Sequence, residues 1–226
     1  LIVSIEKLSE IKRVRYTTSH PKDMTNDLIE VYKSSNKLMP LVHLPVQSGS
    51  NKILKLMNRN HSIEHYLETF NKLKEINSKI EFSSDFIIAY PGEENQDFED
   101  TLNLIKKVKF INSYSYIFSP RPGTVSENLN LIDKKTSFER LEIIQNELFE
   151  NQIQKNKSLE NSIVEVLVEN FTEDKTKTFG RSKHMTSVIF DGKKSDIGKI
   201  VQVKISKSNR STLFGEIVDN SNQKVA

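Results

Sequence analysis

The spacing of apolar residues changes at about residue 160 and divides the sequence into two regions. In the first region, short apolar runs alternate with longer stretches in which apolar residues recur every three or four positions. These are the periodicities of β-strands and of amphipathic helices. In the second region, short runs rich in β-branched residues follow one another with no helical segment between them. The pattern therefore predicts two different architectures in one chain.

The first region is predicted to form a parallel α/β sheet. The predicted strands are Arg13–Thr17, Leu41–Leu44, Ile80–Ala89 and Tyr114–Phe118. The predicted helices are Asn26–Ser34, Asn51–Met57, Ile63–Ile76 and Asp97–Val108. Strands joined by helices of this length pair in parallel through right-handed crossovers. Because the chain opens in what reads as the middle of a helix, we expect earlier units of the sheet to precede Leu1.

A long amphipathic helix, Thr136–Leu159, is predicted to follow the sheet, and a small β-barrel is predicted after it. The apolar stripe of the helix is Phe138, Leu141, Ile144 and Leu148. The barrel strands are predicted at Ile163–Val168, Ser187–Phe190, Ile200–Ile205 and Thr212–Val218. Short strands separated only by turn signals are typical of an antiparallel barrel. The predicted boundaries are residues 1–135 for a partial α/β barrel, 136–160 for a connecting helix and 161–226 for the β-barrel.

Composition excludes several kinds of site and partner. The 226 residues include no cysteine, which excludes disulfides, thiolate zinc sites and cysteine-ligated iron–sulfur clusters within this sequence. Lysine and arginine number 33 against 30 aspartates and glutamates, a surplus too small to indicate a polyanionic partner by itself. No stretch approaches the roughly 20 consecutive apolar residues of a membrane helix. With no signal-peptide pattern at the start, we expect a cytoplasmic protein with no membrane partner.

Three polar segments follow predicted strands, at the strand ends where α/β folds hold their ligands. They are His43-Leu-Pro-Val-Gln-Ser-Gly-Ser50 with Leu56-Met-Asn-Arg59, Ser83-Ser-Asp-Phe-Ile-Ile-Ala-Tyr-Pro-Gly-Glu93, and Phe118-Ser-Pro-Arg-Pro-Gly-Thr124. These segments resemble the radical S-adenosylmethionine (SAM) methylthiotransferase family, and the resemblance extends along the whole chain. The terminal barrel is similar to the TRAM domain that ends these enzymes. Within the family, Arg15-Tyr-Thr-Thr-Ser-His-Pro21 resembles the branch that modifies a tRNA adenosine.

The resemblance implies the chemistry of a larger enzyme, of which this chain would be the C-terminal part. In the family, SAM and two 4Fe–4S clusters serve to add a methylthio group to C2 of a prenylated adenosine beside the anticodon. The implied partners are the anticodon stem-loop of tRNA, an electron donor and a sulfur donor. The family's CxxxCxxC cluster motif has no counterpart in this sequence. We therefore expect the chain alone to bind no metal, to supply no catalytic residue and to be inactive.

Three residues are candidate SAM ligands. The amide of Gln47 can both donate to and accept from a ribose hydroxyl. The guanidinium of Arg59 can pair with the methionine carboxylate through two hydrogen bonds. Asp85 lies in a largely apolar strand and requires a partner, such as ribose hydroxyls. The structural alternatives are loop hydrogen bonds for Gln47, closure of a helix C-terminus for Arg59, and a buried salt bridge for Asp85.

The segment after Asp85 departs from the family pattern at two positions. The family has glycine where this chain has Ala89, and threonine where it has Glu94. Because alanine adds only a methyl group, we expect the first change to be mild.

The candidate RNA contacts are basic residues, with Phe179 and Phe190 interleaved as exposed aromatics. They are Arg121 in the loop after the fourth strand, and Arg181, Lys183, Lys204 and Arg210 in the terminal barrel. Basic and aromatic side chains on a small barrel are typical of proteins that bind looped or single-stranded RNA. The alternatives are a rim salt bridge for Arg121 and an ordinary solvated surface for the barrel. Composition alone favours the solvated surface, and the TRAM resemblance favours RNA binding.

Two other functions stay open at this point. A non-catalytic RNA-binding protein built on a degenerate barrel fits the absence of cysteine equally well. A methylthiotransferase that acts on a ribosomal protein would share the fold, although the segment Thr17–Pro21 argues against it. His20 and His43 have no further residue at metal-ligand spacing, so we expect them to be structural or to contact substrate.

Overall fold

Parallel strands and crossover helices build the first of two units into which the chain divides, Leu1–Leu148 and Phe149–Ala226. The structure is a computed structural model that describes residues 1–17, 20–123 and 125–218. The helices are α1 Ile2–Glu6, α2 Asn26–Ser34, α3 Asn51–Leu56, α4 Ile63–Ile76, α5 Asn95–Val108 and α6 Lys134–Ser158. The strands of the first unit are β1 Leu41–His43, β2 Glu81–Ser83, β3 Asp85–Ile88 and β4 Tyr114–Ile117. Short 3-10 helices lie at Pro21–Asp23 and Val125–Asn128.

The four strands are parallel, as predicted, with β1 paired to β2 and β3 paired to β4. Hydrogen bonds connect the two pairs, since the Gln47 amide donates to the Asp85 carbonyl at 3.0 Å and the Ile87 amide donates to the Gln47 carbonyl at 2.9 Å. Ser84 divides the predicted strand Ile80–Ala89 into β2 and β3. Its hydroxyl accepts from the Val46 amide at 2.9 Å, which fixes the chain where pairing changes from β1 to β4.

The predicted strand Arg13–Thr17 is wrong. Among the residues that the structure describes in this segment, Val14 alone forms a bridge, in parallel with Leu38. The Val14 amide donates to the Lys37 carbonyl, and its own carbonyl accepts from the Met39 amide. One residue is too short for a strand, although it continues the parallel order. Thr18 and Ser19, which belong to the segment that resembles the tRNA branch, lie outside the described residues.

The helix predictions are confirmed most closely for α2 and α4, whose bounds agree with the apolar periodicity. Helix α5 begins two residues before the predicted Asp97, because Asp97 and Glu94 form a reciprocal capping box at its start. The predicted stripe of α6 is wrong at Phe138, whose side chain is 62% exposed, whereas Ile144 and Leu148 are buried.

A hydrophobic core lies between this sheet and its helices. Its fully buried members include Tyr66, Phe82, Phe86 and Phe110, and burial of each such side chain contributes about 2–3 kcal/mol. Because Phe86 and Ile88 of β3 face this core, the alternating residues of the same strand face the opposite side of the sheet.

Five strands of the second unit close into a barrel in the order β5-β6-β7-β9-β8. They are β5 Ile163–Phe171, β6 Thr178–Ser182, β7 Ser187–Asp191, β8 Ile200–Ser208 and β9 Thr212–Ile217. The expected antiparallel pairing holds except between β7 and β9, which are parallel. Strand β8 lies between β7 and β9 in the chain and pairs antiparallel with β9. The chain therefore reverses once more before β9, which runs in the same direction as β7.

Strand β6 was missed by the sequence pattern because a glycine stands at its centre. A Cβ atom at Gly180 would lie 2.4 Å from the carbonyl oxygen of Leu167 on β5. No side chain fits at that distance, so the barrel requires glycine at a position where strand propensity disfavours it.

The barrel has its own core of inward-facing residues. They are Val166, Val168, Val188, Phe190, Val203, Ile205 and Leu213. The expectation that Phe190 is an exposed aromatic is therefore wrong, since its side chain is 2% exposed. In the described part of the chain, no helix is both long and apolar enough to cross a membrane.

Candidate functional site

The face of the sheet that points away from the hydrophobic core carries an acid and two tyrosines. In the register of β3 with β4, Asp85 lies opposite Tyr114 and Ile87 lies opposite Tyr116. Tyr114 and Tyr116 are 59% and 57% exposed, and their rings are nearly parallel, with centroids 6.5 Å apart. Parallel sheets are usually covered on both faces. This exposed face is therefore a candidate binding surface.

His43 holds Asp85 in place on this face. The Nδ1 atom of His43 lies 2.9 Å from the Ser83 hydroxyl, and its Nε2 atom lies 3.6 Å from Oδ2 of Asp85. The Asp85 side chain stays 33% exposed, so its carboxylate is oriented by protein and still accessible to a ligand. The expectation of a structural role for His43 agrees with these two contacts.

Gln47 lies beside Asp85 in an uncommon backbone conformation. Its φ is +74°, in the left-handed region that residues other than glycine rarely occupy. Its backbone is tied to β3 on both sides, and the residue is buried. Strained backbone of this kind clusters at ligand sites. The sheet thus brings two of the three candidate SAM ligands next to each other.

A cleft of about 660 Å³ reaches β3 at Ile87, two residues after Asp85. Ile87 and Tyr116 belong to its lining, and so do the two basic candidates Arg59 and Arg121. The volume is within the range of small-molecule sites, and guanidinium groups suit carboxylate or phosphate groups of a ligand. The structure therefore places a predicted SAM ligand, Arg59, and a predicted RNA contact, Arg121, in one cleft. Thr124 of the same motif lies outside the described residues.

His61 belongs to this neighbourhood and was not identified from the sequence. Its ring meets that of His20 edge-on, with centroids 5.0 Å apart. Burial, followed by the nearby His20, lowers the pKa of His61 to about 4, so the ring is neutral at pH 7. Both of its ring nitrogens are buried, and the Val46 backbone opposes part of the lowering of its pKa. His20 itself accepts a hydrogen bond from the Lys22 amide at 3.1 Å and caps the 3-10 helix there.

The loop after β3 is held by a buried ion pair that sequence reasoning also missed. Arg140 of α6 donates to the Glu93 carboxylate at 2.8 Å and to the Asn95 side chain at 2.8 Å. Burial raises the pKa of Glu93, against the opposing effect of the Arg140 guanidinium. The Glu93 carboxylate also accepts from the Ala89 amide at 3.2 Å. The pair therefore fixes the turn between β3 and α5.

A tight turn follows at Tyr90-Pro-Gly-Glu93, where Gly92 has a φ of +89° and the Glu93 amide donates to the Tyr90 carbonyl at 2.9 Å. Ala89, immediately before it, has a φ of +58°. Glycine at this position therefore matters through backbone conformation, and not only through the space that a methyl group needs. The change is costlier than expected, because L-residues are strained in this region.

The basic candidates of the barrel differ in their surroundings. Arg181 lies 3.5 Å from a Glu169 carboxylate oxygen, and Lys183 lies 3.2 Å from one of Glu165. Their charges are thus partly neutralised. Lys204 is exposed on β8, and Arg210 lies over the ring of Phe149 at 4.2 Å. Within the described residues, no group of three or more His, Cys, Asp or Glu side chains is arranged to hold a metal ion.

Comparison with known proteins agrees with both units. Residues 1–105 match the radical SAM superfamily, and residues 157–218 match the TRAM domain. The chain therefore joins a radical SAM segment to a TRAM domain. Among solved structures, coproporphyrinogen III oxidase from Escherichia coli, a radical SAM enzyme, is similar with a TM-score of 0.54 and 13% identity. That match covers 92% of this chain and 51% of the oxidase, and it shows the fold.

The chain is also similar over its length to curated proteins that share one name. The chain is 65% identical over 226 residues to the tRNA-2-methylthio-N(6)-dimethylallyladenosine synthase of Pelagibacter ubique (strain HTCC1062), covering all of this chain and 51% of the relative. It is 46% identical over 220 residues to the protein of the same name from Rickettsia rickettsii (strain Sheila Smith), covering 96% of this chain and 49% of the relative. The chain spans about half the length of these relatives. It is thus homologous to about half the length of the synthases of that name.

Proposed function

We propose that this chain works as part of a tRNA methylthiotransferase that adds a methylthio group to C2 of a prenylated adenosine next to the anticodon. The observation that carries the proposal is the match along the whole chain to synthases of this name. The cleft beside β3 supports it, because its residues suit a nucleoside cofactor with a carboxylate group.

SAM fits the residues that surround this cleft. The accessible Asp85 carboxylate can accept hydrogen bonds from both ribose hydroxyls, and His43 keeps it oriented. The backbone of Gln47 is bonded to the same strand beside Asp85, and its side-chain amide can bind the same ribose. Arg59, in the cleft lining, can bind the methionine carboxylate through two hydrogen bonds. When bound, SAM would supply the methyl group and the means to open the adenine C–H bond.

The two 4Fe–4S clusters do not fit the residues of this sequence, which has no cysteine to ligate them. We assign the clusters, and the docking of the electron and sulfur donors, to other parts of the complete protein. A cytoplasmic location suits the tRNA substrate.

The tRNA contacts are assigned to both units. Arg121 lines the cleft that would receive the target adenosine. Tyr116 belongs to the same lining and offers an exposed ring for base stacking. In the barrel, Arg181, Lys183, Lys204 and Arg210 are the candidate contacts to the anticodon stem-loop. The name of the relatives favours this substrate over a ribosomal protein.

Calorimetric titration with SAM tests the cofactor assignment in the complete protein. Gln47→Ala, Arg59→Ala and Asp85→Ala should each weaken SAM binding by about 10- to 100-fold, because a hydrogen bond to a charged group contributes about 1.5–3 kcal/mol. Lys55→Ala, on the exposed side of α3, is the matched control and should bind SAM normally. Unchanged affinity in all three site variants would show that these residues are structural. A complete reading frame without a CxxxCxxC motif would instead favour the non-catalytic RNA-binding protein.

A further inference from the structure

Three apolar side chains form a row across the outer surface of the barrel. Phe179 on β6 lies opposite Ile189 on β7, and Ile189 lies opposite Phe214 on β9. Because adjacent strands are about 4.8 Å apart, side chains that face the same way at these positions are neighbours. We call these three residues the aromatic row.

The aromatic row is not part of the barrel core. The residues that alternate with its members, Val188, Phe190 and Leu213, are buried inside the barrel, so the row faces outward. All three members of the row are only half-buried. Apolar residues that align across three neighbouring strands and stay partly exposed form a candidate binding surface.

A cation lies at each end of the row. The guanidinium carbon of Arg181 is 5.3 Å from the centroid of the Phe179 ring, and Nζ of Lys207 is 5.2 Å from that of the Phe214 ring. In the strand register, Lys207 lies directly opposite Phe214. The surface thus combines two aromatic rings, an aliphatic side chain between them and positive charge on either side.

This combination favours unpaired nucleic-acid bases over a protein partner. Bases stack on aromatic rings without regard to sequence, while flanking cations contact the phosphates that connect them. Aromatic and arginine side chains are also common in protein interfaces, and the proposed function of this unit, whose sequence matches the TRAM domain, decides for RNA. Glu169 already neutralises part of the charge of Arg181, which leaves stacking as the larger contribution.

We infer that Phe179 and Phe214 are the base-stacking residues of the TRAM unit, and that they bind unpaired bases of the RNA. The inference rests on the proposed function, because it assumes that this unit contacts RNA. It goes beyond that function in naming the residues and the mode of recognition. It also separates affinity that comes from stacking from affinity that comes from charge.

The test measures binding of the whole chain to a hairpin RNA with an unpaired loop, and to a fully paired RNA duplex, by fluorescence anisotropy over a range of salt. Phe179→Ala and Phe214→Ala should each weaken hairpin binding by about 5- to 100-fold, with the same dependence on salt as the parent chain. Phe179→Trp and Phe214→Trp should keep the affinity. Ile163→Ala, at an apolar position on β5 that is 56% exposed, is the matched control and should bind normally.

Lys207→Gln should have the opposite effect to the phenylalanine variants, because it removes a charge and leaves both rings in place. It should reduce the salt dependence of hairpin binding by about 0.7 in the slope of log K against log salt, the value for one phosphate contact in a single strand. Melting curves verify that each variant is folded, and Phe179→Leu with Phe214→Leu keeps the apolar area while removing the rings.

The possible results separate a failure of the stacking inference from a failure of the proposed function. If the parent chain binds neither RNA, the assignment of RNA contacts to this chain fails as a whole. If it binds the hairpin and the alanine and leucine variants bind equally well, RNA binding stands and the stacking inference is overturned. Equal affinity for the paired duplex, unaffected by loss of the rings, would also overturn it.

Discussion

At the scale of single residues, Ala89 is the position where the chain departs most instructively from the family pattern. Its φ of +58° costs an L-residue roughly 1–2 kcal/mol, whereas glycine adopts it freely and loses about 0.5–1 kcal/mol through the entropy of the unfolded chain. We therefore expect Ala89→Gly to raise the free energy of unfolding by about 1 kcal/mol, as measured by urea denaturation. Lys106→Gly, within helix α5, should lower it by a similar amount. A destabilised Ala89→Gly variant would contradict the strain argument.

His61 should make stability depend on pH. Its pKa is about 4 in the folded protein against 6.5 in its reference state, so the unfolded chain binds the proton more readily. The contribution of His61 is complete above pH 6.5 and declines as the pH falls from 6.5 to 4. Because the ring is only about half-buried, solvent screening limits the loss to about 1 kcal/mol between pH 7 and pH 5.

Denaturation at several pH values would measure this effect. His61→Gln should flatten the pH dependence between pH 7 and pH 5. His65→Gln, on the exposed face of α4, should change it much less, because the charge of His65 is only a minor cause of the lowered pKa of His61. If the His61 variant keeps the full slope, the proton is taken up elsewhere, and His20, whose pKa is also lowered by burial, becomes the first alternative.

At the scale of elements, the ion pair between Arg140 and Glu93 attaches helix α6 to the loop after β3. Removal of one partner leaves a buried charge without compensation, which costs about 3–5 kcal/mol. Arg140→Met should therefore lower the free energy of unfolding by that amount, as measured by chemical denaturation. Lys135→Met, which breaks the exposed pair with Glu139 at 3.9 Å, should cost less than about 1 kcal/mol.

A second substitution shows whether the charge itself is responsible. Adding Glu93→Gln to Arg140→Met removes the buried charge and should restore part of the lost stability. If the double variant is as unstable as the sum of the two single variants, the loss comes from packing of the arginine stem and not from the unpaired carboxylate.

Apolar periodicity predicted those elements in which the element's own side chains form a regular apolar face. Helices α2 and α4 agree with their predicted bounds, because each has one apolar face and a clear start. Strand β6 could not be predicted, since its centre is Gly180, whose presence is explained by the carbonyl of Leu167 across the barrel. The break at Ser84 between β2 and β3 could not be predicted either, because it depends on pairing: β2 pairs with β1, whereas β3 pairs with β4.

The candidate site was predictable only where a motif lies at a strand end. That reasoning found Gln47, Arg59 and Asp85, and the structure brings Gln47 and Asp85 side by side, with Arg59 in the adjoining cleft. It did not find Tyr116 or His61. Their importance comes from the residues that meet them in space, and neither periodicity nor spacing along the chain contains that information.

At the scale of the whole molecule, RNA binding should be independent of the cluster chemistry. The chain has no cysteine, so its affinity for an anticodon stem-loop RNA should be the same with and without a metal chelator. Lys204→Ala and Arg210→Ala should each lower the salt dependence of binding by about 0.7 in the logarithmic slope if they contact phosphates. Lys55→Ala serves again as the control. Binding that disappears with chelator, or slopes that do not change, would contradict the assignment.

The exposed tyrosines of β4 have an optical consequence. The sequence contains six tyrosines and no tryptophan, so excitation in the tyrosine absorption band gives tyrosine emission without interference from indole. Tyr114 and Tyr116 are the tyrosines that stand out into solvent at more than half exposure, while Tyr32, Tyr66 and Tyr90 are buried. A base or cofactor that stacks on this face quenches the solvent-facing pair and leaves the buried rings as an internal reference. The sheet thus carries a label-free reporter of its own occupancy.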